Sequence, residues 1–207
     1  RDPCTFIHEE ITQPNGLEVH LGVEQPDYYR IARFYAAKGR TGDPYSQNLR
    51  ARVVTDSHDI STLAFTNPGM SPKRSSDPRW WAFKQPGACS HSTANGLAGF
   101  YSALLAGRLI SAETLNEFIQ EQSNGMDRIW KRPMRYGLGC MLEQQVDPHA
   151  SHRMGPNTFG HIGLGGPIAF ADADRGISFS FVTTTSGAHA MIDPRAQSLA
   201  ALAYAAV

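Results

Sequence analysis

The chain has 207 residues, of which 41% are hydrophobic and 18% are charged, and its formal net charge is +0. This composition is typical of a globular protein and excludes an intrinsically disordered one. The balanced charge gives no basic stripe, so we expect no nucleic-acid partner. No apolar run approaches the roughly 18 residues that a membrane-spanning helix needs, so we expect a soluble protein of unassigned compartment without a membrane span. The three cysteines, Cys4, Cys89 and Cys140, form no CxxC pair, and an odd number leaves at least one thiol unpaired within the chain.

Helical signals occupy the start of the chain. The apolar residues within Cys4–Ile11 predict a helix that stops at Asn15-Gly16. Because the chain starts at Arg1 without a methionine and with this helix under way, we expect further sequence upstream. The apolar residues within 25–38 predict a second helix.

A long segment, residues 42–87, is predicted to be irregular. It holds five prolines, several polar runs and the pair Trp80-Trp81. A loop-rich segment of this length either crosses the surface or shapes a binding cleft, and the sequence leaves both possibilities open.

Two capped helices are predicted next. Ser92 or Thr93 caps a helix that runs to about Ala106, and Ser111 caps a short helix that runs through Phe118. We assign the apolar stripe of these helices to core packing, because most amphipathic helices bury that face.

Strand patterns dominate the remainder of the chain. Strands are predicted at Arg135–Leu142, Phe159–Ala171 and Ile177–Val182, and the polar turn between the last two predicts an antiparallel hairpin. Asp193-Pro194 opens an Ala/Leu-rich helix that runs to the C-terminus. Helices and strands that are segregated in this way indicate the α+β class, with the last helix on one face of an antiparallel sheet.

Several stretches, in this order, resemble the serine beta-lactamase-related family, which includes class C-like beta-lactamases, penicillin-binding-protein-like enzymes and esterases of the same fold. The matching stretches are 6–17, 86–98, 109–115, 159–163 and 172–182. The resemblance implies a beta-lactamase/transpeptidase-like α+β fold, of which this chain covers only the C-terminal half. Residues 1–132 would form a helical and loop-rich region, and residues 133–207 the sheet strands and the terminal helix of the same domain.

The family's nucleophile motif is missing from this chain. The family uses a Ser-x-x-Lys pair and a Tyr-x-Asn or Ser-x-Asn motif, but no serine here precedes a lysine by three positions and no Tyr-x-Asn occurs. The triplet Ser46-Gln47-Asn48 fits Ser-x-Asn but lies downstream of the family's position, so we treat it as a chance match. We therefore expect the chain to be inactive alone, as the C-terminal portion of a serine hydrolase that acts on esters or amides.

The glycine-rich stretch 159–166 supplies the candidate site. The resemblance implies that His161 stands where the family has Lys or His, that Gly163 permits close approach, and that the Leu164 backbone N–H is an oxyanion donor. The alternative for His161 is a strand histidine that is hydrogen-bonded to a neighbour. Candidate substrate-binding residues are Ile162, Gly165, Tyr136, Trp80 and Trp81.

Other functions are kept open. His149, His152 and His161 could form a zinc site, although we expect no metal and no cofactor. The expected ligand of the complete domain is a small ester, amide or peptide, and the expected protein partner is a complementing N-terminal segment or a second copy. A non-catalytic binding or structural module derived from this fold is the alternative function.

Overall fold

The computed structural model of the protein describes residues 1–36, 42–67, 69, 72–148, 150–151 and 154–206. The regular elements, in chain order, are α1 (Pro3–Phe6), a π-helix (Ile7–Thr12), β1 (Val19–Leu21), a 3-10 helix (Gln25–Arg30), α2 (Pro44–Thr55), α3 (Ile60–Thr66), α4 (Pro72–Ser75), α5 (Pro78–Trp81), β2 (Ser90–Ser92), α6 (Ala94–Leu105), α7 (Ala112–Phe118), β3 (Ser123–Met126), β4 (Pro133–Tyr136), β5 (Met141–Leu142), β6 (Thr158–Ile162), β7 (Ile168–Asp172), β8 (Ile177–Phe181) and α8 (Pro194–Ala205). Among these residues, none of the helices has the length and apolar character to cross a membrane.

One antiparallel sheet organises the fold. Its six strands follow chain order, β3-β4-β5-β6-β7-β8, and a separate ribbon pairs β1 with β2. Strand β3 belongs to this sheet although it precedes residue 133. The predicted α+β class and the β7–β8 hairpin are confirmed.

The sheet carries a core on each face because its side chains alternate. Beneath α8, the core contains Met134, Met141, Ile162, Ile168, Phe170, Met191, Ile192, Ala196 and Ala200. On the opposite face, the core under α6 and α7 contains Leu104, Leu115, Cys140, Leu142, Phe159 and Ala171. Neighbouring positions 170 and 171 of β7 thus face opposite layers, as the period of two requires. The prediction that the terminal helix covers one face is confirmed.

Side-chain caps start the three helices whose beginnings were predicted. The Thr93 Oγ1 atom accepts a hydrogen bond from the Gly96 N–H at 2.9 Å, and the Ser111 Oγ accepts one from the Thr114 N–H at 3.1 Å. Asp193 caps α8, and Pro194 occupies its first turn. Proline is favoured there because the missing N–H would have had no helical partner.

The prediction of an irregular segment over 42–87 is wrong for much of its length. Helices α2, α3, α4 and α5 all lie within it. Three of the five prolines that suggested loops instead begin helices, namely Pro44, Pro72 and Pro78. Pro44 and Pro78 sit in the first turn behind the capping carboxylates of Asp43 and Asp77. Proline breaks a helix only in its interior, so its position decides its effect.

The helix predicted over 25–38 is also wrong. A 3-10 helix ends at Arg30, and residues 31–34 are not helical; residues 37 and 38 lie outside the described residues. The backbone of Tyr35 instead forms hydrogen bonds with a distant segment. Its N–H donates to the Thr184 carbonyl at 2.7 Å, and its carbonyl accepts from the Ser186 N–H at 2.8 Å.

Two long predicted strands are each a pair of short strands joined by a turn. The stretch 135–142 divides into the end of β4 and β5, with Gly139 at φ +83° between them. The stretch 159–171 divides into β6 and β7, with Gly165 at φ +88°. Glycine adopts this left-handed backbone without the steric cost of a Cβ atom, so the chain reverses at these points.

Candidate active site

The site is built on the turn that joins β6 to β7. The Gly166 N–H donates to the Gly163 carbonyl at 3.1 Å, which closes a four-residue β-turn. Gly165 occupies the third position of the turn at φ +88°, whereas Leu164, in the second position, has a negative φ. This combination is typical of a type II turn. The turn therefore holds Leu164 at its tip.

Leu164 presents an unused backbone donor. The residue is 46% exposed, and within the described part of the chain its N–H forms no hydrogen bond. An N–H group that is fixed in a turn and has no protein acceptor can bind an external oxygen atom. This is the property that an oxyanion donor requires.

His161 lies two residues before the turn, exposed on β6. Its Nδ1 atom is 2.9 Å from the Ile162 carbonyl oxygen. A carbonyl oxygen only accepts hydrogen bonds, so this contact places the proton of the neutral imidazole on Nδ1. The Nε2 lone pair is then available as a hydrogen-bond acceptor or a base. The hydrogen bond from His161 to the Ile162 carbonyl therefore leaves His161 able to take part in the site through its Nε2 atom.

A large cleft opens in front of the turn. Its volume is about 1870 Å³. The walls include His161, Ile162, Gly163, Leu164, Trp80 and Trp130. The structure therefore brings five of the eight candidate residues, those at 80 and 161–164, to one cavity.

The other three candidates pack inside the fold. The Trp81 Nε1–H donates to the Ser75 carbonyl at 2.9 Å. Tyr136 packs against the core beneath α8, where burial raises the pKa of its hydroxyl to about 12. Gly165 lies against Ser186, and its carbonyl accepts from the Gly187 N–H at 2.5 Å. These three residues are not among the described residues that line the cleft. Their role in substrate binding stays a prediction.

Asp193 packs against the glycines next to the turn. An added Cβ at Gly166 would lie 2.8 Å from the Asp193 Cβ, and an added Cβ at Gly187 would overlap an oxygen of the Asp193 carboxylate. The carboxylate accepts hydrogen bonds from the Arg195 N–H at 2.9 Å and from the Arg195 Nε at 2.8 Å. Asp193 thus joins the start of α8 to the glycines that shape the turn.

Asp193→Asn is expected to lower the free energy of unfolding by about 1–2 kcal/mol at pH 7, because it removes charge-assisted hydrogen bonds. Burial raises the pKa of the Asp193 carboxyl, but its hydrogen bonds and charge interaction with Arg195 outweigh burial, so the pKa lies below 3.8. The ionised form therefore stabilises the fold above that pH, and the contribution is lost as the pH falls through the lowered pKa. Urea unfolding at several pH values measures this effect, with exposed Asp174→Asn as the control. An equal deficit at neutral and strongly acidic pH would contradict it.

A buried ionic network holds the segment that carries Gly187 and Asp193. Arg132, 1% exposed, pairs with Asp147 through its Nε at 2.6 Å and lies 3.7 Å from the Asp43 carboxylate. The same aspartate is 3.3 Å from the His189 Nδ1. No motif spacing in the sequence indicates this network, because its members come from distant segments.

Ser46 belongs to this network and not to the cleft. Its hydroxyl donates to the Asp43 carboxylate at 2.5 Å and accepts from the Ala190 N–H at 2.7 Å. The residue is fully buried. The structure therefore supports the interpretation of Ser46-Gln47-Asn48 as a chance match.

The histidines of the alternative zinc site cannot be placed together. His149 and His152 lie outside the described residues, whereas His161 lines the cleft. Within the described ranges, there is no group of three or more His, Cys, Asp or Glu residues that could hold a metal ion.

Comparison with known proteins identifies the family. The family model described as Beta-lactamase matches residues 1–203. A penicillin-binding protein homolog from Caulobacter crescentus is 27% identical with a TM-score of 0.81, over 100% of this chain and 53% of that chain. A family VIII carboxylesterase is 23% identical with a TM-score of 0.81, and the match covers 99% of this chain and 52% of that chain. D-amino acid amidase from Ochrobactrum anthropi SV3 is 14% identical with a TM-score of 0.53, and the match covers 98% of this chain and 54% of that chain. No curated protein gives a significant sequence match.

These likenesses extend along this chain from end to end, but they cover only part of each similar structure. The chain spans about half the length of the solved structures that it matches. The resemblance and the beta-lactamase/transpeptidase-like fold inferred from the sequence are confirmed. With a family model that matches almost every residue and a sheet and turn in the expected order, the chain belongs to the beta-lactamase family.

Proposed function

We propose that this chain forms one wall of the acyl-transfer site of a serine hydrolase that acts on esters or amides. The observation that carries the proposal is the Leu164 N–H, which has no hydrogen-bond partner in the described part of the chain and lies, with His161, in the wall of a large cleft. The similarity to a carboxylesterase and to an amidase supports these two substrate classes.

The proposed mechanism assigns one role to each group. The carbonyl oxygen of the substrate lies against the turn, and the Leu164 N–H donates to it as negative charge develops in the tetrahedral intermediate. The Nε2 atom of His161 accepts a hydrogen bond from the substrate or takes part in moving the proton of the nucleophile. Gly163 has no side chain that would separate the substrate from this wall.

The nucleophile of this mechanism comes from outside the chain. A serine hydroxyl attacks efficiently only when a neighbouring base takes its proton, and this sequence contains no Ser-x-x-Lys. We propose that a complementing segment supplies that pair on the open side of the cleft. A second copy of this chain is the alternative partner for that surface.

The isolated chain is expected to turn over neither nitrocefin nor a p-nitrophenyl ester faster than buffer. The reason is the absent nucleophile, because an oxyanion donor alone stabilises a charge that no group generates. Initial rates with the purified, folded chain measure this, and a class C beta-lactamase is the positive control. Turnover that a serine-reactive phosphonate blocks would contradict the proposal, since it would reveal a nucleophilic serine within these residues.

A further inference from the structure

Two histidines face each other across the β1–β2 ribbon. His20 pairs directly with His91 in the antiparallel register. The flanking backbone bonds run from the Thr93 N–H to the Glu18 carbonyl at 3.2 Å and from the Gly22 N–H to the Cys89 carbonyl at 3.4 Å. Hydrogen-bonded pairs alternate along such a ribbon, so the histidines also form one, with their Cα atoms about 5.5 Å apart. Residues that are directly opposite project from the same face, so both imidazoles lie on one side of the ribbon.

Both imidazoles leave the same atom without a partner. The Nε2 atoms of His20 and His91 are buried, and neither forms a hydrogen bond within the described part of the chain. A buried polar atom without a partner is costly, and natural proteins seldom retain one without a reason. Two such atoms on directly paired residues indicate a shared ligand more strongly than either atom alone.

The chemistry of the pair favours a metal cation. Neutral imidazole nitrogen is a good ligand for Zn²⁺, Cu²⁺ and Ni²⁺, and a zinc–nitrogen bond is about 2.0–2.1 Å long. Both histidines also line the large cleft. Among the described residues, its charged side chains are the carboxylates of Glu18, Glu24 and Asp27 and the cations of Arg30 and Lys84. This charge balance does not oppose the approach of a cation.

We propose that His20 and His91 form a two-histidine site for a divalent transition metal, separate from the His161 wall. No third ligand of the usual kinds joins them in the described residues. The remaining coordination positions would have to be filled by water or by another small ligand that reaches the two buried Nε2 atoms. The bound metal would fasten β1 to β2, and β2 leads directly to Thr93, the cap of α6.

Titration of the chain with ZnCl₂ and NiCl₂ by calorimetry tests the site. We expect one equivalent of metal to bind and to raise the melting temperature. His20→Ala and His91→Ala are each expected to weaken binding by more than about tenfold, because loss of even an outer-shell partner costs 10–100-fold. The matched controls, exposed His8→Ala and His58→Ala, are expected to keep the affinity of the unmodified chain.

Three results would overturn the proposal. One is the absence of metal binding to the unmodified chain, and another is unchanged affinity in the His20→Ala, His91→Ala double variant. The third is loss of binding in a variant that lacks His149, His152 and His161, which would assign the metal to those residues. If a ribbon variant fails to fold, nitrogen NMR of the unmodified chain decides: Zn²⁺ must shift both Nε2 resonances, and unshifted resonances would refute the site.

Discussion

Replacing Gly160 with alanine is expected to destabilise the fold by more than about 3 kcal/mol, at the upper end of overpacking substitutions. Gly160 lies on β6, between β5 and β7, and pairs with Phe170. An added Cβ would lie 2.6 Å from the Phe170 Cα and would contact the Ala169 carbonyl still more closely. Both obstacles are on the backbone of β7, so no side-chain rotation relieves them.

The matched control for this substitution is Gly87→Ala. A Cβ at Gly87 would meet no atom of the described residues within 4 Å, and its backbone does not occupy the left-handed region. Urea unfolding of the two variants should give a large loss for Gly160→Ala and little change for Gly87→Ala. A Gly160→Ala variant as stable as the unmodified chain would contradict the close packing of β6 on β7.

The sequence predicted those elements whose signals are local. Thr93, Ser111 and Asp193 each combine a capping side chain with a following helical pattern, and all three begin helices. The same reasoning applied at Asp43-Pro44 and Asp77-Pro78 would have found α2 and α5. Counting prolines as loop signals hid their favourable position in the first helical turn. Local signals for α2 and α5 are thus present in the sequence within residues 42–87.

The remaining errors have a different physical origin. The turns at Gly139 and Gly165 depend on a positive φ. Glycine adopts positive and negative φ about equally readily, so its presence in the sequence does not predict a turn. Tyr35 is extended because its backbone forms hydrogen bonds with Thr184 and Ser186, which lie about 150 residues further along the chain. The pairing of His20 with His91 also joins residues that are far apart in the sequence. Long-range contacts of this kind leave no local pattern in the sequence. The stretch 161–164 could therefore be singled out from the sequence, whereas the contacts of Gly187 and Asp193 that hold its turn could not.

Leu164→Pro is expected to reduce kcat of the proposed hydrolase by about 10²–10³-fold, the usual cost of removing one oxyanion donor. The substitution removes the N–H without disturbing the turn. Leu164 has a negative φ in the second position of a type II turn, which is a position that proline favours. The melting temperature should therefore remain close to that of the unmodified protein, so a fall in activity would not reflect unfolding.

Leu164→Ala separates the backbone from the side chain in this experiment. Alanine keeps the N–H but removes the isobutyl group, so kcat should stay near that of the unmodified enzyme if the donor is the main chain. Because the proposed nucleophile lies outside this chain, ester hydrolysis is measured with the polypeptide that supplies it. Loss of activity in both variants would assign Leu164 a role in substrate packing, and full activity in Leu164→Pro would exclude its N–H as the oxyanion donor. Only the selective loss in the proline variant agrees with a turn whose free N–H faces the reacting carbonyl.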